Sequence, residues 1–291
     1  MEKYKSIDAK HLIYESYDRL LNDWGVPYEE HDIQTSYGIT HIVTAGSPLQ
    51  PPLLLLHGTA DNSAMMWIFN AQALSEHFYL IAVDAIGGSG KSEANDAYFK
   101  TFDQARWLDE LLEQLKLDKV NVAGVSYGAY LAYHYAIVRP DKANKIICMA
   151  GRIPSSQTEV MFKMMKAFLP EALFPSEANC RKLLRKLSGP NYIRFENHAE
   201  LMKHWYYLLK YFNNKSMMKH TITIFNDEQL NTLREKALFL IGEHDRMSYY
   251  PKAISKLQMN GINYRLFKDA GHAINHEIAE QINAEIIAFL S

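Results

Sequence analysis

The sequence predicts an α/β fold with a mostly parallel sheet of about eight strands and helices on both faces. Short, continuous apolar runs recur along the chain, which is typical of strands buried on both faces. Most runs are separated by segments with helical apolar spacing, and this alternation favours a parallel sheet. One long stretch, residues 153–233, contains several helical stripes and no such run, which predicts a helical insertion.

The composition restricts the class of protein. The chain has 291 residues, of which 48% are hydrophobic and 22% charged, as in an ordinary globular protein with a large core. A net charge of −2 without a polybasic tract argues against nucleic acid or an anionic membrane as partner. Cys148 and Cys180 are the only cysteines, which excludes a disulfide framework and a cysteine-rich metal site. The absence of an apolar N-terminal stretch and of a run near the ~18 residues of a membrane span predicts a cytoplasmic protein without a secretory signal.

The first elements form a helix and a hairpin. Residues 7–24 predict a helix. Extended segments follow around 29–36 and at 39–43, separated by a turn at 36–38, which predicts an antiparallel pair.

Six continuous apolar runs predict the remaining strands, at 53–56, 79–83, 120–123, 146–149, 237–241 and 264–267. Thr101 and Gln104 fit a capping box before a helix with apolar residues from Ala105 to Leu115. Residues 127–138 predict a small-residue helix that ends before Pro140, and 276–290 predict a final amphipathic helix.

This pattern predicts a division of the chain into two parts. Residues 1–152 and 234–291 form the predicted core, and residues 153–233 form a helical cap inserted between the sixth and seventh predicted strands. Six of the twelve methionines fall in the cap, and methionine adapts to irregular apolar shapes. We expect the cap to act as an apolar lid over a pocket, although ordinary helix packing explains any single methionine. Its clearest stripes are Met161, Met164, Met165 and Phe168, and Leu201, Trp205, Leu208 and Phe212.

Residues 124–128 read Gly-Val-Ser-Tyr-Gly, directly after the run at 120–123. A serine between glycines at −2 and +2 can occupy a sharp strand-to-helix turn that presents its hydroxyl to a base. Three further motifs follow predicted parallel strands: His-Gly-Thr at 57–59, Gly-Glu-His-Asp at 242–245 and Ala-Gly-His at 270–272. The carboxyl ends of such strands meet at the edge where open α/β sheets build their sites.

With these motifs the sequence resembles the α/β-hydrolase family over roughly residues 30–290. Within the family it looks most similar to bacterial serine carboxylesterases with a helical cap, including the carboxylesterase NP group. The resemblance implies that Ser126 is the nucleophile, His272 its general base and Asp245 the acid that orients the imidazole. It also implies an oxyanion hole formed by the backbone N–H groups of Thr59 and Tyr127.

Other side chains compete for these roles. His276 is a second candidate base, but a histidine on the surface of a helix explains it adequately. Glu243 competes with Asp245 as the acid, and the G-x-x-D spacing favours Asp245. We expect His57 to support the oxyanion loop. Arg152 either contacts a polar group of the substrate or lies in solvent, and we favour solvent.

A phosphate-binding loop is a misleading alternative. Residues 85–92 resemble a P-loop that has alanine in place of the first glycine. We reject it because residues 93–96 continue poorly into the helix that such a loop requires. Asp84 and the glycines that lead to Ser92 instead resemble the D-x-x-G-x-G-x-S loop that follows a core strand in the hydrolase family.

The expected function is hydrolysis of a carboxylic ester of a small, apolar substrate through an acyl-enzyme. A thioesterase, lactonase, amidase, C–C hydrolase or cofactor-free haloperoxidase uses the same triad, and a ligand receptor can retain the fold. No cofactor or metal is implied, and the oligomeric state stays open. The candidate pocket residues, which equally fit a cap core, are Trp67, Met161, Met165 and Trp205.

Overall fold

The computed structural model describes residues 2–248 and 250–291. The side chains of six residues in one cap helix lie outside the described residues: Val160, Met161, Met164, Leu169, Pro170 and Ala172.

Within the described residues, nine strands form one sheet, and the fold class predicted from the sequence is confirmed. The strands are β1 (Tyr28–Thr35), β2 (Gly38–Ala45), β3 (Pro52–Leu56), β4 (Tyr79–Val83), β5 (Glu93–Ala94), β6 (Val120–Val125), β7 (Ala143–Met149), β8 (Ala237–Gly242) and β9 (Asn263–Phe267). Their order is β1-β2-β4-β3-β6-β7-β8-β9, with the short β5 paired to β2. The pairs β1–β2 and β2–β4 are antiparallel, and the ladder from β4 through β3 to β9 is parallel.

The helices cover both faces of this sheet. They are α1 (Ile7–Asn22), α2 (Ser63–Met66), α3 (Ala71–Ser75), α4 (Asp96–Thr101), α5 (Gln104–Gln114), α6 (Tyr127–Val138), α7 (Gln157–Leu173), α8 (Glu177–Leu187), α9 (Ile193–Glu196), α10 (Ala199–Tyr211), α11 (Asp227–Leu230), α12 (Tyr250–Met259), α13 (Ile274–Glu277) and α14 (Ala279–Leu290). Three single turns of 3₁₀-helix occur at Pro190–Tyr192, Asn214–Met217 and Asn231–Leu233. In residues 2–248 and 250–291, no helix combines the length and apolar composition needed to cross a bilayer.

Two predicted helix boundaries are wrong. Thr101 ends α4 rather than capping α5, because the carboxylate of Asp103 accepts the backbone N–H groups of Ala105 and Arg106 at 2.9 and 3.0 Å. The final helix is two helices, α13 and α14, because Ile278 between them has φ −133° and ψ 46°, outside the helical region.

The segment between β7 and β8 carries α7–α11, and among its described residues the one β-bridge joins Phe212 to Tyr4. Its helix α10 packs on α1 through the fully buried His204. The Asn62 amide donates to His204 Nε2 at 2.8 Å, so Nδ1 carries the proton and donates to the Ser16 hydroxyl. Burial lowers the pKa of His204 to about 3, which keeps this link neutral. The division of the chain into a core and a cap domain stays a prediction.

Candidate active site

Ser126 lies at the turn between β6 and α6, with φ +56° and ψ −110°. The glycines around it allow backbone to touch backbone. A Cβ atom at Gly124 would lie 2.1 Å from the Gly128 carbonyl oxygen, and one at Gly128 would lie 2.0 Å from the Leu56 oxygen. The spacing of the G-x-S-x-G motif is therefore a packing requirement of a turn that pushes Ser126 out of the sheet.

The structure brings Ser126, His272 and Asp245 together in one chain of hydrogen bonds. The Ser126 Oγ atom lies 2.9 Å from His272 Nε2. His272 Nδ1 lies 3.1 and 3.0 Å from the two carboxylate oxygens of Asp245. Asp245 follows β8 and His272 follows β9, so the parallel topology delivers all three side chains to the same edge of the sheet.

The Asp245 carboxylate is held by its own loop. Its Oδ1 accepts the backbone N–H groups of Met247 at 2.8 Å and Ser248 at 3.0 Å, and its Oδ2 accepts the Ser248 hydroxyl at 2.6 Å. Burial alone would raise the pKa of Asp245, but the His272 charge and these donors bring it below its ordinary value. Asp245 is therefore ionised at neutral pH.

The Asp245 carboxylate sets the pKa and the orientation of the His272 imidazole. Burial alone would lower its pKa, but the charge and hydrogen bond of Asp245 raise the pKa above the ordinary value. Because Asp245 accepts a hydrogen bond from the Nδ1–H group, the proton of the neutral imidazole stays on Nδ1 and Nε2 is left free to accept the proton of Ser126. The arrangement can generate a serine nucleophile and stabilise the imidazolium that results.

Thr59 and Tyr127 both line the cavity that contains Ser126. Tyr127 is the first residue of α6, where a backbone N–H has no acceptor within the helix. His57 holds the loop before Thr59: its Nε2 accepts the Ala85 N–H and its Nδ1 donates to the Gly58 carbonyl, both at 2.8 Å. A backbone donor pair beside a nucleophile is the arrangement required of an oxyanion hole.

The cavity beside Ser126 and His272 has a volume of about 560 Å³ and mostly apolar walls. Of the expected pocket residues, Trp205 lines it. Trp67 does not, because it is fully buried in the core, and Met165 does not, because half of its surface faces solvent; both placements correct the expectation. The side chain of Met161 lies outside the described residues. Among the residues that the structure describes, five methionines line the cavity, three of them from the predicted core: Met65, Met66, Met217, Met218 and Met247.

Asp61, which the sequence analysis missed, also lines the cavity. It comes two residues after Thr59, close to Ser126, since a Cβ at Gly58 would lie 3.0 Å from Asp61 Oδ2 and 3.5 Å from Ser126 Cβ. Burial raises the pKa of Asp61 to about 7, although the His272 charge opposes this. The position of Asp61 shortly after a predicted strand was the signal that could have identified it. The sequence of the loop does not show whether the side chain points into the cavity.

Two other polar side chains escaped the sequence reasoning. His220, from the segment after α10, donates from Nε2 to the Ile86 carbonyl at 2.6 Å and accepts the Tyr127 hydroxyl on Nδ1 at 2.8 Å. Glu277 accepts the backbone N–H groups of Gly189 at 2.6 Å and Gly271 at 2.8 Å, which steadies the loop before His272. The contacts of His220 and the contact between Glu277 and Gly189 join residues far apart in the sequence, which motif spacing does not report.

The structure corrects two further expectations. His276 is not on the surface; it is buried, donates from Nε2 to the Met65 carbonyl at 3.1 Å, and has its pKa lowered to about 4 by burial. Arg152 does not lie in solvent; it lines the cavity and pairs with Glu159 at 2.8 Å. A charged residue three positions past β7 therefore lines the cavity.

Residues 85–92 are a structural loop. They run into β5 rather than a helix, and the Lys91 ammonium pairs with Asp18 and Glu30. The buried carboxylate of Asp84 accepts the backbone N–H of Lys91 at 2.7 Å, and a Cβ at Gly90 would lie 2.1 Å from that carboxylate. The glycines here allow the chain to wrap around Asp84.

Comparison with known proteins agrees with this fold. Residues 51–174 match the model of the alpha/beta hydrolase fold family. The chain is 25% identical to carboxylesterase YbfK of Bacillus subtilis, over 99% of its own length and 96% of that protein. It superimposes on the crystal structure of this carboxylesterase with a TM-score of 0.83 at 23% identity, covering 98% of this chain and 99% of the other. Naproxen esterase (carboxylesterase NP) of Bacillus subtilis gives a TM-score of 0.83 at 22% identity, covering 99% and 100%.

The fold is that of an α/β-hydrolase, and residues 51–174 of the chain match the model of that family. Within it, the chain is similar over nearly its whole length to bacterial carboxylesterases, which confirms the subgroup indicated by the motifs.

Proposed function

We propose that the protein is a serine hydrolase that cleaves carboxylic esters through an acyl-enzyme. The observation that carries the proposal is the hydrogen-bonded chain from Ser126 through His272 to Asp245, which opens on a cavity large enough for a small molecule. The full-length similarity to carboxylesterases supports the ester as the bond attacked.

In the first half of the reaction, His272 Nε2 takes the proton of Ser126 as Oγ attacks the ester carbonyl. The negative oxygen of the tetrahedral intermediate accepts the backbone N–H groups of Thr59 and Tyr127, each worth about 10²–10³ in rate. His272 then gives its proton to the alkoxide that leaves. In the second half, water attacks the acyl-enzyme with His272 again as base, and the acid product departs.

The cap and core together select the substrate. Trp205 and Leu208 from α10 and Met65 and Met66 from α2 face the same cavity, so an acyl or alcohol group there is surrounded by apolar side chains. Thioesters, lactones, amides and C–C bonds can be attacked by the same residues, and a substrate panel separates these activities.

Active-site labelling tests the proposal. A fluorophosphonate should add one adduct mass to the wild-type protein, on the peptide that contains Ser126, and none to Ser126→Ala. An exposed serine provides the matched control, and Ser47→Ala should be labelled like the wild type. A folded wild-type protein that stays unlabelled and turns over none of a panel of ethyl esters contradicts the proposal.

A further inference from the structure

The polar side chains that line the cavity include Tyr133 on α6, Arg152 after β7, and Lys163 on α7. The Arg152 and Lys163 cations both reach the same oxygen of Glu159, at 2.8 and 3.4 Å, so they lie side by side. The Arg152 charge also acts on Tyr133, where it opposes the rise in pKa that burial causes. Glu159 therefore holds Arg152 and Lys163 together, and Tyr133 lines the same cavity.

The charged side chains of this part of the wall are cations. Arg152 and Lys163 both line the cavity, whereas the Glu159 carboxylate that they share does not. Burial and the cations that pair with Glu159 act on this carboxylate in opposite directions, and the cations prevail, lowering its pKa to about 2. Of the described residues that line the cavity, Asp61 is the one carboxylic acid, and it lies beside the oxyanion loop. An excess of cations on a poorly solvated wall attracts an anion.

Tyr133 provides an independent observation. It is 1% exposed, and among the described residues no group accepts or donates a hydrogen bond at its hydroxyl. Buried hydroxyls are nearly always satisfied, so one that lines a cavity without a partner points to an atom of the ligand. A phenolic O–H beside a guanidinium offers a set of donors that fits the oxygens of a carboxylate.

We propose that Tyr133, Arg152 and Lys163 form a subsite for a free carboxylate of the substrate. This inference rests on the proposed esterase function and names its substrate class: esters that carry a second, ionised carboxyl group, such as monoesters of dicarboxylic acids. The free carboxylate takes no part in bond breaking. It holds the substrate while Ser126 attacks the ester carbonyl, and hydrolysis releases a dicarboxylate and an alcohol.

Paired substrates test the subsite. Monoethyl esters of linear dicarboxylic acids of four to ten carbons are compared with ethyl esters of monocarboxylic acids of the same lengths, with turnover followed by proton release. At the best chain length, the wild-type protein should prefer the acidic ester by about tenfold or more in kcat/KM, as expected for a charge-assisted hydrogen bond.

Variants locate the effect. Arg152→Met should remove about tenfold or more of kcat/KM for the acidic ester, mainly through KM, and change the neutral ester less than about threefold. Tyr133→Phe, which keeps the ring, should weaken the acidic ester selectively. Lys252→Met is the matched control, because Lys252 pairs with the same Glu159 but does not line the cavity. It should leave the preference for the acidic ester in place.

The outcomes separate the two proposals. Hydrolysis of neutral esters without a preference for the acidic partner at any length overturns the subsite alone. An equal loss for both esters in Tyr133→Phe and Arg152→Met also overturns it, because such a loss indicates a structural role. Failure to hydrolyse any ester, with Ser126 unlabelled, overturns the esterase function itself.

Discussion

Replacing Asp245 by asparagine should disable the base without disturbing the fold. Asp245 Oδ1 accepts two backbone N–H groups, from Met247 and Ser248, so the asparagine must keep its carbonyl oxygen at that position. Its amino group then replaces Oδ2, 3.0 Å from His272 Nδ1. Facing a donor, Nδ1 must become an acceptor, and the imidazole proton moves to Nε2.

The size of the effect follows from this tautomer. An imidazole with its proton on Nε2 donates to Ser126 Oγ and cannot accept the proton that Ser126 must lose. We expect kcat to fall by about 10⁴-fold, a rise of about 5 kcal/mol in the activation barrier. Both backbone hydrogen bonds are kept, and the Ser248 hydroxyl, which loses Oδ2 as acceptor, still has the Ala150 carbonyl at 3.2 Å. The melting temperature should therefore stay close to that of the wild type.

The assay is steady-state hydrolysis of an ethyl ester with thermal unfolding measured on the same samples. Glu243→Gln is the matched control: Glu243 lies in the same loop and was the competing acid in the sequence, and its loss should change kcat less than about twofold. A fall of less than tenfold in a folded Asp245→Asn variant would refute the tautomer argument.

Four further predictions concern packing and ionisation. Gly128→Ala places a Cβ 2.0 Å from the Leu56 carbonyl, so urea unfolding should show a loss of about 3 kcal/mol; an unchanged midpoint contradicts the close packing. The charge of Asp61 raises the pKa of His272, so Asp61→Asn should shift the acid limb of kcat/KM to lower pH by a fraction of a unit; a shift to higher pH disproves the coupling. Asp61 itself has a folded pKa of about 7, above its unfolded value, so its contribution to stability is lost as pH rises towards 7, and Asp61→Asn should stabilise the protein more at pH 8 than at pH 5. His204 has a folded pKa of about 3, below its unfolded value near 6.5, so the unfolded state binds more protons between these values. Lowering the pH from 7 to 5 should therefore cost about 2 kcal/mol through this group, measured by urea unfolding against His204→Phe, whose pH slope should be shallower by that amount.

Patterns that depend on neighbouring residues predicted most of the fold. The apolar runs at 79–83 and 237–241 became β4 and β8, since burial on both faces leaves a continuous apolar signature. The capping box predicted at Thr101 was wrong because Asp103, two positions further along the chain, caps α5 instead. The local sequence alone does not show which of two nearby capping residues begins the helix.

The positions of the candidate catalytic motifs could also be predicted from the local sequence, since each motif follows the end of a strand. The residues that line the pocket could not be predicted in this way. Helical spacing shows that Met165 and Trp205 lie on apolar helices, but not whether the apolar side meets solvent, core or cavity. Arg152 and Asp61 were misjudged or missed for the same reason: their surroundings are assembled from distant parts of the chain.

The N-terminal segment is tied by hydrogen bonds to the end of α10, the helix that contributes Trp205 and Leu208 to the cavity wall. Lys5 donates its backbone N–H to Tyr211 at 3.1 Å, and Asn213 donates to the Lys3 carbonyl at 2.9 Å. The Tyr4 hydroxyl reaches the Gly90 carbonyl at 2.9 Å on the other side. We therefore expect that trimming this segment, or fusing an expression tag to it, alters the part of the cavity wall that α10 forms. Such a change should affect which esters are accepted rather than how fast an acyl group is transferred.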